Sequence, residues 1–406
     1  MASTEDLYSD RAKAALENSF PFPEPKVPVR YNFDQGTPAP ELYPLDDLKE
    51  YVRRAIDADG VLTCDYYGAA GYEEMTYGFA GLRETLAERI SRRDGRAVTR
   101  QGVMLVNGSS HGLALMAQAY LSPGDGAVAE ALSFPFMVDY MQRAGAKVAP
   151  VPVDEKGMEV DAVPKALQEL RDSGLRPKLI YAIPSYQVPT GTLLRQDRRR
   201  RLVEIAQEWH VMLVEDNCYH DLYFDEPPPP TLLSMDDSGL VIQSDSFSKI
   251  VAPGLRMGWV AGSPVAIAPV AAVRQDLGVS QLIAHALNMY LNDGKLEPRL
   301  DMLRSRYKRK RDVALAGLQK HCADYVTYVI PEGGIYFWLD VNSDIDCAQV
   351  SERLASDGVA CRPGERFTDD PSGHQFFRMA FLQVGEDEIE RGVEALGRAL
   401  RGSVKR

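Results

Sequence analysis

The sequence predicts an α/β protein: a large domain on a mostly parallel, seven-stranded-type sheet between helices, followed by a small α+β domain. Three observations lead there. Short, continuous apolar runs alternate with helical periodicities, which is the pattern of a parallel sheet covered on both faces. The chain has 406 residues, too many for one small core and enough for two domains. Near residue 294 the alternation stops, and a long helical region rich in Arg and Leu leads into strands and helices in a different order.

Taken in order, residues 1–45 carry Pro21, Pro23, Pro25, Pro28, Pro38, Pro40 and Pro44 and read as an extended N-terminal arm. The large domain is expected over 46–293. Residues 82–90 show helical periodicity with Arg and Glu on the polar positions. Val103–Val106 is a short apolar strand, ending at Asn107-Gly108-Ser109-Ser110, and 111–121 reads as the helix after that turn. The same pattern returns at 127–129, 148–153, 179–183 and 211–214. The prolines at 227–230 read as a stiff loop. The small domain, 294–406, is expected to contain a helix over about 294–320, strands over 325–330, 335–341 and 377–381, and helices over 348–356 and 386–400.

Ligands of parallel sheets bind at the carboxyl ends of the strands, and the candidate site residues of the large domain stand at such ends. In Ser244-Asp245-Ser246-Phe247-Ser248-Lys249 a lysine follows an apolar run, with Arg256 seven residues on. A lysine that forms a Schiff base with an aldehyde cofactor needs this setting, and the hydroxyls with an arginine suit a phosphate; a surface lysine on a Ser-rich loop is the bland alternative. Asp216, after the strand 211–214, suits a pyridine ring nitrogen, and Tyr219 is placed to reach a ring hydroxyl, unless the acidic loop only caps the next helix. Ser109 and Ser110 open a helix whose amides and dipole favour a phosphate, although Ser is also a common simple cap. Ser246, Ser248 and Arg256 would complete that phosphate site. Phe134 either stacks on an aromatic cofactor or fills the core. Arg378 lies inside an apolar strand, and a buried guanidinium takes either a substrate carboxylate or an internal salt bridge.

Together and in register, Gly36-Thr37-Pro38, Tyr77-Gly78, Gly108-Ser109-Ser110, Pro189-Thr190-Gly191, Asp216 with Tyr219, Ser246-Phe247-Ser248-Lys249, Arg256, Pro331-Glu332-Gly333-Gly334 and Arg378 resemble the class I/II aminotransferases of the pyridoxal-phosphate fold-type I superfamily. The similarity runs from about residue 30 to 400 and looks closest to the α-aminoadipate/kynurenine aminotransferase branch, which also includes aminotransferase-like domains of bacterial regulators. It implies pyridoxal 5'-phosphate as cofactor, with an L-α-amino acid and a 2-oxo acid as substrates. Lys249 becomes the Schiff-base lysine and proton shuttle, Asp216 the partner of the pyridine nitrogen, and Tyr219 that of the ring oxygen. Ser109, Ser110, Ser246, Ser248 and Arg256 hold the phosphate, Phe134 stacks on the ring, and Arg378 takes the α-carboxylate, with Gly36 and Val188 also on the substrate side. The resemblance further implies a homodimer with sites at the interface, Tyr77 reaching the phosphate of the neighbouring subunit.

One departure matters. The family pattern Asn-Pro-Thr-Gly supplies an Asn donor to the ring oxygen, and here Val188 stands in its place. Loss of that donor is expected to raise the Schiff-base pKa, with Gln187 or Tyr219 as the groups able to compensate. His111 stands where Gln is frequent, and Arg362, Glu365 and Arg366 put charge around Pro363-Gly364. Val188 keeps open a second reading. In it, an enzyme of specialised metabolism with the same fold carries out β/γ-elimination, replacement, carbon–carbon bond formation (as on an S-adenosylmethionine-like amino acid) or oxidation. A non-catalytic regulator is a third, disfavoured because Lys249 and Asp216 are both present and no DNA-binding extension is expected ahead of residue 30.

Composition narrows the classes further. Hydrophobic residues at 45% with 26% charged are ordinary for a soluble globular protein, and a net charge of -12 argues against a nucleic-acid surface. No apolar run nears the roughly 20 residues that span a bilayer. The acidic N-terminus lacks an apolar signal region. Cys64, Cys218, Cys322, Cys347 and Cys361 are scattered, without a CxxC pair, and read as reduced thiols of a cytoplasmic protein with no metal site.

Overall fold

The computed structural model describes residues 4–17 and 27–405. Pro21, Pro23 and Pro25 of the expected arm lie outside them. The described part of the arm is only partly extended: Thr4–Leu7 forms a 3-10 turn and Asp10–Glu17 an α-helix. That eight-residue stretch has three alanines and no proline, a strong local helix signal that the prolines after it mask. Farther on, Tyr31–Asn32 pairs in parallel with Val359–Ala360, so the chain is tied to its own C-terminal part before it enters the helix Leu45–Asp59.

Seven strands form the main sheet, in the spatial order Val103–Val106, Gly258–Gly262, Val241–Ser246, Met212–Asp216, Arg176–Ala182, Asp125–Glu130 and Lys147–Val151. Pairing is parallel from Val241–Ser246 outward to Lys147–Val151. Gly258–Gly262 runs antiparallel to both its neighbours. The sequence reading missed this strand, because Gly-Trp-Val-Ala-Gly is short and bounded by glycines, residues that usually weaken a strand assignment. Buried side chains run along whole strands, as in Val103–Val106 and Val241–Ser246, because helices cover both faces. The covering helices are amphipathic. In Ala80–Asp94, Leu82, Leu86, Ala87 and Ile90 form the buried stripe, and Gly95 ends the helix at φ 64° in the left-handed region.

The helix Leu296–His321 leads into a second, antiparallel sheet ordered Val326–Thr327, Tyr336–Val341, Phe376–Ala380 and Arg362–Pro363. Helices Cys347–Ser356 and Glu386–Gly402 pack on one another, and Glu386–Gly402 also packs along Leu296–His321. The strand expected over 325–330 is shorter. From Tyr328 the chain leaves the sheet toward the large unit, where Gly333 bridges to Tyr223. Among the described residues, no helix is long and apolar enough to cross a membrane.

Candidate active site

Two carboxyl ends of the main sheet, at Val106 and Ser246, meet the amino end of the antiparallel strand at Gly258 beside the start of the helix Ser109–Tyr120. Gly258 is the Cα partner of Val106 on one side and of Ser246 on the other, which sets the serine loop beside the helix start. Ser246 Oγ donates to Ser248 Oγ at 2.8 Å and accepts from the Ser248 amide at 3.0 Å. Arg256 adopts φ 49°, rare for a residue with a Cβ, and this turns its guanidinium back onto the Asn107 carbonyl at 2.9 Å. Gly108, at φ 81°, has no room for a side chain, since a Cβ there would lie 2.5 Å from an Arg256 nitrogen. Helix-start amides, hydroxyls and a guanidinium thus come together at one end of the sheet, a donor set that fits a phosphate.

Asp216, at the end of Met212–Asp216, is 7% exposed. Its Oδ2 accepts from the Tyr181 hydroxyl at 2.8 Å. Burial raises its pKa above the usual carboxylate range, opposed by hydrogen bonds from Cys218 and Tyr181 and by the charge of Lys249. Among the described residues no cation forms an ion pair with it, so a buried carboxylate is left facing the site without a partner charge. This fits a protonated ring nitrogen. Glu130 ends Asp125–Glu130, the strand beyond Arg176–Ala182, accepts from the Ile183 amide at 3.2 Å, and is pushed by burial up to about 8.

Lys249 Nζ donates to the Gly36 carbonyl and stands 6.0 Å from the centre of the Tyr219 ring. The Tyr219 hydroxyl lies 3.2 Å from that of Tyr336, and burial, then the neighbouring Tyr336, pushes its pKa well above the ordinary value. Gly36 cannot carry a side chain: a Cβ would fall on the Tyr336 hydroxyl. The Arg378 guanidinium sits over the Tyr336 ring at 4.4 Å and the Phe367 ring at 5.1 Å, and it donates to the Asp34 carbonyl. The Asp34 carboxylate is held by Arg362, with a 2.7 Å bond from Nη2, and is 3.9 Å from Arg378. Arg378 Nε is buried with no hydrogen-bond partner. An internal salt bridge therefore does not use up Arg378, and a donor remains for a carboxylate.

Phe134 is half-buried at the start of the helix Pro135–Arg143, 5.3 Å from Phe136, and the adjacent Ser133 amide donates to the Phe367 carbonyl of the small unit. Ser110 is in the first turn of its helix, next to Ser109. Val188 is 5% exposed. Gln187 is already committed: its Nε2 donates to the Leu132 carbonyl at 2.6 Å, and its Oε1 accepts from the Thr190 amide and hydroxyl. It is not free to replace the missing Asn. Tyr77 stands apart from these contacts. Its ring carries the Arg83 guanidinium at 5.3 Å, and Gly78 after it packs on Leu105.

Sequence reasoning missed Asp34, Tyr181, Glu130 and Tyr336. Tyr181 and Glu130 were within reach, since each is a polar group at the end of an apolar strand, the signal used for Asp216. Asp34 and Tyr336 join the site through contacts that span hundreds of residues and leave no local mark.

The family comparison decides the identity. Residues 66–396 match the model for aminotransferase class I and II. The chain belongs to the class I and II aminotransferases. As a member it is a pyridoxal 5'-phosphate-dependent transferase of fold type I. It is 31% identical over 376 residues to aromatic-amino-acid aminotransferase 1 of Thermococcus litoralis, covering 91% of this chain and 88% of that one. The crystal structure of a multiple substrate aminotransferase from Thermococcus profundus superposes with a TM-score of 0.89 at 30% identity, over 99% of both chains. The α-aminoadipate aminotransferase LysN of Thermus thermophilus, complexed with N-(5'-phosphopyridoxyl)-L-leucine, gives 0.88 at 28% identity, again over 99% of both. The elimination, replacement, carbon–carbon bond formation or oxidation reading motivated by Val188 is not favoured by this aminotransferase's relatives.

Proposed function

We propose that this aminotransferase moves the amino group of an L-α-amino acid to a 2-oxo acid, with Lys249 carrying the cofactor and shuttling the proton. The observation that carries the proposal is the pairing of Lys249 with Arg378. The two cations rest on backbone carbonyls only two residues apart, Gly36 and Asp34, and Arg378 keeps a buried, unpartnered donor. A substrate carboxylate on Arg378 would bring its α-carbon toward Lys249, and orientation of this kind accounts for much of the rate in such sites.

Ser109, Ser110, Ser246, Ser248 and Arg256 would hold the cofactor phosphate, Phe134 would lie against the ring, and Tyr219 would donate to the ring oxygen. Asp216 would keep the ring nitrogen protonated. The bound cofactor supplies an electron sink for the pair left when the α C–H bond breaks. Lys249, as the neutral amine, would take up that proton and deliver it on the far side of the substrate nitrogen. Val188 and Gly36 add no side-chain charge of their own to the substrate side.

The partner surface is supported by exposed apolar residues in the segment that leads to Tyr77. Val61, Tyr66 and Tyr72 are 79%, 64% and 73% exposed, and Leu277 lies next to Gly278, which packs on Met75. An apolar patch of this kind suits a second copy of the chain, with Tyr77 reaching across to the partner's phosphate site. Five free cysteines support a cytoplasmic setting.

The test is to incubate holoprotein with paired amino acids and 2-oxo acids and to quantify both products. Equimolar formation of the new amino acid and the new 2-oxo acid, lost in Lys249→Ala, is expected. Eliminated or replaced side chains without amino transfer would overturn the proposal.

A further inference from the structure

Tyr336 occupies the centre of the site. It opens the strand Tyr336–Val341 and is 4% exposed. Its hydroxyl is 3.2 Å from that of Tyr219 and fills the space a side chain at residue 36 would need. Its ring face carries Arg378. Its backbone supports the turn that bears Val188, since a Cβ on Gly191 would lie 2.9 Å from the Tyr336 carbonyl oxygen. The polar side chain nearest Val188 in sequence, Gln187, is bonded elsewhere.

We propose that Tyr336 is a positioning residue that acts through Tyr219, its hydroxyl supplying the polarity that Val188 does not. The inference rests on the role given above to Tyr219 at the cofactor's ring oxygen. If Tyr219 donates its only proton to that oxygen, it must accept from its neighbour, and at 3.2 Å that neighbour is Tyr336. A hydroxyl that accepts a hydrogen bond becomes a better donor, because bonds in a chain polarise one another. The Arg378 cation over the ring face draws electron density from the Tyr336 phenol and strengthens the first link. One chain of contacts thus runs from the carboxylate seat at Arg378 through Tyr336 to Tyr219.

The test follows the absorbance of lysine-bound cofactor against pH in wild type, Tyr219→Phe, Tyr336→Phe, Val188→Asn and the double variant Val188→Asn/Tyr336→Phe. Tyr336→Phe keeps the ring and its packing and removes only the hydroxyl. It should raise the midpoint by roughly half to one pH unit, the worth of one neutral hydrogen bond. Tyr219→Phe should raise it more, and Val188→Asn should lower it. In the Val188→Asn background the Tyr336→Phe shift should shrink, because the added amide supplies the polarity directly. Tyr336→Phe without effect, beside a clear shift in Tyr219→Phe, overturns this inference and leaves the role of Tyr219 standing. A Tyr336→Phe shift of equal size in both backgrounds overturns it too. No shift in Tyr219→Phe overturns the role of Tyr219 itself.

Discussion

The two sides of the site are assembled by different kinds of sheet. On the large side Asp216, Glu130 and Ser246 sit at the ends of buried parallel strands, with the helix start at Ser109 beside them. Each group is fixed at the end of its own strand, and the sheet aligns the ends. On the small side Arg378 lies across an antiparallel ladder from Trp338 and from Arg362, so its surroundings are set by the register between strands. In the proposed function the groups on the large side would face the cofactor, and those on the small side a substrate that comes and goes. The latter accordingly keep unfilled capacity, such as the free Nε of Arg378.

The largest expected effect lies on the large side. Lys249→Ala should lower turnover by roughly 10³-fold or more, the scale of a lost acid–base group, with the absorbance of lysine-bound cofactor abolished. An unchanged spectrum would place the cofactor on another residue and break the division between the two sides. Arg378→Ala should weaken amino-acid binding by about 2 kcal/mol, near thirtyfold in KM, while cofactor affinity measured by titrating apoprotein stays put. If cofactor and amino-acid affinities fall together, the small side is not a separate substrate seat.

The smallest effect concerns Glu130. Burial raises its folded-state pKa to about 8, so the folded protein holds a proton that the unfolded chain gives up at its ordinary carboxylate pKa. Its contribution to stability is therefore fully present below the unfolded pKa and is lost as pH rises toward 8. Thermal melts across pH 5 to 8 should show a downward slope that is shallower in Glu130→Gln. Parallel slopes for the two proteins would show that Glu130 does not carry this proton.

Much of the large side was legible in the sequence because its signals are local. An apolar run, a turn and a helix start are contiguous, as around Gly108-Ser109-Ser110 and Ser246-Phe247-Ser248-Lys249. The strand Gly258–Gly262 escaped notice because its glycines serve tight packing, not flexibility: Gly258 lies against Ser109 and Asp245, where a Cβ would collide. The small side was legible only at Arg378, where a charge inside an apolar strand stands out. Nothing near Asp34 or Tyr336 in sequence announces a contact with Arg362 or Tyr219. Gln187, one of two groups named for replacing the missing Asn, is bonded to Thr190 in its own turn and to Leu132, whose arrival from a distant turn is a tertiary event.

The short stretch after Tyr31–Asn32 has one more consequence. Through the carbonyls of Asp34 and Gly36 it occupies both Arg378 and Lys249, and through the pairing of Tyr31 with Val359 it is anchored to the small sheet's own neighbourhood. Two backbone oxygens spaced along one short stretch thus hold a cation from each side of the site. A change of backbone geometry at residues 34–36 is therefore expected to shift both cations at once, without a substitution at either.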